Sequence, residues 1–100
     1  MMYVRIDWTH DYDSEPIAIY SEINHEGYEV RKIELYRDGQ VGFAQGEIEY
    51  NGAGLSEKTF PPLDELNSQD EWDETRAELI HKEDFERVWV MNVLPILHKQ

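Results

Sequence analysis

From Met2 to Trp8 the chain alternates, with Val4, Ile6 and Trp8 on one parity and Tyr3, Arg5 and Asp7 on the other. That two-residue period predicts a strand with one buried face. A polar run, Thr9 to Glu15, interrupts it, and Pro16 then stands where a strand can begin without its N–H. Ile17, Ile19 and Ile23 mark the buried face of a second strand, with Ala18, Tyr20 and Glu22 opposite. Asn24 to Gly27 reads as a turn, Gly27 supplying the left-handed conformation of a bulged hairpin. In the third strand, Tyr28 to Arg37, the phase slips: Tyr28 and Val30 share one parity, Ile33 and Leu35 the other. A bulge near Arg31-Lys32, or burial on both faces, accounts for the slip. Asp38-Gly39 is a two-residue hairpin signal, and Val41 and Phe43 continue into a fourth strand. The natural product is an antiparallel meander.

The second half is less regular. Gly46, Gly52 and Gly54 break residues 45–58, where Ile48, Tyr50 and Leu55 suggest an edge strand inside a mobile surface loop. Pro61-Pro62 opens a short helix from Leu63 to about Ser68. Residues 69–78 carry Trp72 in a dense acidic run without a clear period, and Leu79-Ile80 reads as a brief strand. A helix is predicted from Lys82, with Glu83, Asp84 and Glu86 in its first turns, where negative charge suits the helix dipole. Phe85, Val88, Trp89, Val93 and Ile96 form its stripe, and Pro95 ends or kinks it. Val90, Met91 and Leu94 fall off that stripe, so the helix is buried on two sides or offers a face to a partner.

The expected fold class is therefore α+β in a single domain, residues 1–100. An antiparallel four- to five-stranded sheet carries one short helix, and a C-terminal helix packs on one face. The predicted core is Val4, Ile6, Trp8, Ile17, Ile19, Ile33, Leu35, Phe43, Phe85, Val88 and Trp89.

Charge changes this picture. The 100 residues hold 22 Asp+Glu against 9 Lys+Arg, a formal charge of −13. With 40% hydrophobic and 12% aromatic residues the chain is too apolar for a disordered acidic tail. Its charge argues against docking on nucleic acid or on anionic lipid. There is no Cys, so disulfides, thiolate metal sites and cysteine nucleophiles are excluded. No basic stretch leads into an apolar run at the start and no segment reaches a membrane span, so a cytoplasmic protein is expected. Residues 64–86 hold ten acids against Arg76 and Lys82, and so carry −8 of the total. This is either a solvated surface that aids solubility or a negative face for a basic partner, quickening encounter and fading in salt. On the second reading Asp64, Glu65, Asp70, Glu71, Asp73, Glu74 and Glu78 make the contact, with Trp72 as its anchor or else a satellite core residue.

Two other clusters invite chemistry. His10-Asp11-Tyr12-Asp13, with Glu15 behind it, is the most site-like, but neighbours in one loop rarely converge on a metal and the spacing of an EF-hand is absent. No metal or cofactor is expected. His10, Asp11, Glu22, Glu29 and Arg31 would form a small enzyme or ligand site if they met on one face. No serine has a nucleophile-elbow context and Gly52-Ala53-Gly54 lacks the lysine of a phosphate loop, so no catalytic residue is assigned.

The order Trp8-x-His10-Asp11, Glu15-Pro16, Tyr20-Ser21-Glu22, Glu29-x-Arg31-Lys32-x-Glu34, Asp38-Gly39 and Glu83-x-Phe85-Glu86-x-x-Trp89 resembles a family of small acidic bacterial proteins of unknown function, over about residues 3–90. The resemblance implies the company of immunity and inhibitor proteins and assigns no catalytic residue. The leading expectation is a non-enzymatic module that masks a basic surface on a toxin- or nuclease-like protein, as an immunity protein or a nucleic-acid-mimicking inhibitor does. The alternatives are the His10 ligand site and a homodimer through Val90, Met91 and Leu94.

Overall fold

In the computed structural model, which describes residues 1–67 and 74–99, the chain passes through β1 (Met2–Thr9), β2 (Ala18–Ile23), β3 (Glu29–Leu35), β4 (Val41–Gln45), β5 (Ile48–Tyr50), α1 (Leu63–Leu66), β6 (Glu74–Ile80), α2 (Lys82–Asn92) and α3 (Leu94–Leu97). Every strand pair is antiparallel, in the order β5-β4-β3-β2-β1-β6. The first five strands meander, and β6 returns along β1 at the far edge. The sheet has six strands rather than the four or five that periodicity suggests, and both edges explain the difference. β5 is only three residues long, within the glycine-broken segment. β6 extends well beyond Leu79-Ile80, because Thr75, Ala77 and Leu79 pair with Trp8, Ile6 and Val4 while Arg76 and Glu78 stand opposite Asp7 and Arg5. Such cross-strand charge pairs support a strand that acid-rich composition conceals.

Both faces of the sheet are covered. On one, Phe85, Trp89 and Val93 pack against Tyr3, Ala18, Tyr20, Ile33 and Phe43. On the other, Phe60, Leu63 and Leu66 pack against Val4, Ile6, Ile23 and Ala77. Central β2 is therefore buried on both sides, with Ala18, Tyr20 and Glu22 under α2 and Ser21 and Ile23 under the segment leading into α1. A single buried face of isoleucines is the wrong picture for it. Trp8 and Ile17 are half-buried instead of central, since they sit at the end of the sheet that Phe60 and α1 do not reach.

The phase slip of β3 is a bulge. Glu22 pairs with Arg31 and Ile23 with Glu29, so Val30 has no partner. Glu29 and Arg31, two apart in sequence, therefore point to opposite faces. The β3–β4 hairpin turns at Gly39, whose φ of 90° belongs to the left-handed region. In β4, a Cβ on Gly42 would meet Tyr50 O at 3.3 Å and Ala53 Cβ at 3.4 Å. Glycine there lets the turn after β5 lie against the sheet.

β6 leaves a backbone edge open. Asn67, just past α1, closes it at one residue: Ala77 N donates to Asn67 Oδ1 at 2.7 Å and Asn67 Nδ2 donates to Ala77 O at 3.0 Å. The side-chain amide takes the place of a neighbouring strand. No helix among the described residues is long and apolar enough to cross a membrane.

Candidate functional site

The buried polar groups fall into three separate places. Beneath α2, Arg31 donates to Glu22 through Nε at 2.7 Å and Nη2 at 3.0 Å, and Nη2 also reaches Glu86 of α2. Tyr3 Oη donates to Glu22 Oε2 at 2.8 Å. The guanidinium lies 4.8 Å from the ring centroids of both Phe85 and Trp89. Burial works against the Arg31 charge, but the bonds to Glu22 and Glu86 outweigh it and raise its pKa. The Arg31 bonds hold the Glu22 carboxyl below its ordinary value, against burial and with help from Tyr3. Packed between the sheet and the Phe85 and Trp89 rings, this network joins helix to sheet.

The second place lies on the opposite face. Ser21 Oγ donates to Glu29 Oε2 at 2.8 Å, Ser56 N donates to Glu29 Oε1 at 3.1 Å, and Lys32 Nζ stands 3.8 Å away. Lys32 also donates to Gly54 O at 3.1 Å, so the carboxylate and its lysine tie the segment after β5 down onto the sheet. A cavity of about 180 Å³ opens here among Ile6, Ile19, Phe60 and Leu66.

The third place is the sheet end that the α1 segment leaves uncovered. A groove of about 500 Å³ runs between the loop after β1, the β3–β4 hairpin and the turn after β5. Trp8, Ile19 and Tyr36 line it together with Asp13, Glu15, Glu34 and Asp38. His10 shapes its near wall. Tyr12 N donates to His10 Nδ1 at 3.0 Å, so Nε2 carries the proton and donates to Pro16 O at 2.8 Å. The imidazole also packs on Trp8, with centroids 4.2 Å apart. Arg37 then donates to His10 O and, at 3.2 Å, to Asp13 Oδ1, binding loop to hairpin. Burial pushes the Tyr36 hydroxyl pKa up, and the charges of Glu34 and Glu15 add to it. The groove is thus lined by carboxylates and two aromatic residues, and a buried histidine holds the loop on one side of it.

Of the five residues expected to meet in a ligand site, Glu22 and Arg31 do so. Glu29 is on the other face because of the Val30 bulge, His10 is in the loop at the sheet end, and Asp11 is exposed beside it. The chain does not assemble these five into one pocket. Among the acids of residues 64–86, Asp64 and Glu65 are exposed on α1. Glu74 and Glu78 are exposed on β6, facing the side opposite Ala77 and so away from α1. Asp70, Glu71, Trp72 and Asp73 lie outside the described residues. Val90 and Met91 are exposed on α2, whereas Leu94 is half-buried against the core. No group of three or more His, Asp or Glu among the described residues is placed to hold a metal. Reading the sequence alone overlooks Glu15, Glu34, Tyr36 and Asp38 as neighbours of Trp8. The His10-Asp11-Tyr12-Asp13 cluster with Glu15 and the Asp38-Gly39 turn are the signals near them, and they belong to different connections.

Over residues 2–94 the chain matches the model of a domain of unknown function, DUF6881. No curated protein and no solved structure matches it.

Proposed function

We propose a function for this chain, which belongs to the DUF6881 family, from its own surface: it is a non-enzymatic acidic module that binds and masks a basic surface on another protein. One observation carries the reading. Arg5, Arg31, Lys32, Arg37 and Arg87, five of the nine Lys and Arg residues, are held in ion pairs by carboxylates of the same chain. Exposed acids such as Asp11, Glu15, Asp38, Glu47, Glu57, Asp64 and Glu65 have no ion pair to another described residue. With more than half of its cations tied up internally and many acids exposed, the surface presents a predominantly negative field, which draws and selects basic partners. A toxin-neutralising immunity protein and an inhibitor that imitates nucleic acid are the two forms of such a module.

Affinity capture from host lysate tests it. A basic partner should be retained at about 50 mM salt and released near about 500 mM, where the screening length falls to a few ångströms. Recovery of no basic protein at low salt overturns the reading.

A further inference from the structure

We propose that the groove at the open sheet end receives a basic side chain, the guanidinium or ammonium end of an arginine or lysine presented by the partner protein. The inference rests on the reading of the chain as an acidic binding module and names its point of contact. At about 500 Å³ the groove is within the size range of small-ligand sites. No Lys, Arg or His lines it; of its carboxylates, Asp13 is paired with Arg37, which also donates to the His10 carbonyl, and Glu34 lies 3.9 Å from Lys32. Glu15 and Asp38 have no ion pair to another described residue, so they can meet an incoming cation.

The aromatic lining selects further. Trp8 and Tyr36 put aromatic surface into the lining, of the kind a flat or compact cation packs on, and Ile19 adds apolar surface for its methylene stem. Burial is the main cause of the raised pKa of the Tyr36 hydroxyl, and the charges of Glu34 and Glu15 add to it; only that added part is what such a guest would relieve. His10 and Arg37 hold the rim loops before any guest arrives, which lowers the ordering cost of binding. A phosphate or a carboxylate would meet four carboxylates and no cation in the lining.

The test titrates tri-arginine into the full chain and follows backbone amides and Trp indole resonances by NMR, with tri-glutamate and acetyl-norleucine amide as controls. The Trp8 indole, identified through Trp8→Phe, should move saturably with tri-arginine, together with amides of residues 13–15 and 36–40. The pair Glu15→Gln and Asp38→Asn should weaken binding about fivefold, while Asp64→Asn with Glu65→Gln should change it less than about twofold. Unchanged melting temperatures separate these effects from misfolding. Shifts no larger than those of the norleucine control, or equal losses in the two double variants, overturn the groove. A groove double variant that still captures the basic partner at full strength also overturns it and leaves the module reading standing. A wild-type chain that captures no basic partner removes the module itself.

Discussion

Arg31 grips Glu22 through two parallel bonds, 2.7 and 3.0 Å, on the face of the sheet that α2 covers. Because those bonds lower the folded-state pKa of Glu22 below its ordinary value of 4.5, the pair stabilises the fold fully above that value. The contribution fades as pH falls through the lower folded value. Glu22→Gln should cost about 3 kcal/mol at pH 7, since it leaves Arg31 with Glu86 alone. The gap between variant and wild type should narrow below about pH 4. Urea unfolding across pH checks this, and a gap independent of pH would show that Glu22 acts by shape alone.

Trp89, at 5% exposure, packs on Phe43 and lies over Arg31. Trp89→Ala removes a large buried ring and should cost about 3–5 kcal/mol, a large share of a total near about 5–15 kcal/mol. An unchanged thermal midpoint would refute the placement of α2.

Asn67→Ala uncovers the Ala77 backbone at the edge of the sheet. Two hydrogen bonds are lost, for about 1–2 kcal/mol. The bare edge should also raise self-association, which light scattering at rising concentration will detect. A variant as stable and as monomeric as wild type would mean that water replaces the amide without loss.

His10→Phe keeps the ring against Trp8 but removes both bonds to the loop. Hydrogen exchange at the Tyr12 amide should speed at least about tenfold, while exchange in β2 and β3 stays as in wild type. Equal exchange in the two proteins would remove His10 from the role of loop staple.

Period-two alternation makes β1 legible, the turn signals at Gly27 and Asp38-Gly39 delimit β2 to β4, and the stripe of Phe85, Val88 and Trp89 makes α2 legible. Two-sided burial erases that contrast in β2, where Tyr20 and Ile23 are buried on opposite faces. β6 is hidden for another reason: its support comes from Asp7 and Arg5, some seventy residues earlier in the chain. The groove is less legible still, since Trp8, Glu15, Glu34 and Asp38 meet only after three separate connections have converged. His10 stands out in the sequence as a chemical group, yet its two ring nitrogens are spent on Tyr12 N and Pro16 O.

The unpaired Val30 has a consequence beyond the strand that contains it. By adding one residue to β3, it turns Glu29 toward Ser21 and leaves Arg31 with Glu22. Were Val30 instead paired in register, β3 would alternate strictly and Glu29 would stand on the same side as Glu22 and Arg31, crowding two carboxylates around one guanidinium and stripping Ser21 of its acceptor. One surplus amino acid thus works as an electrostatic partition through the middle of the molecule.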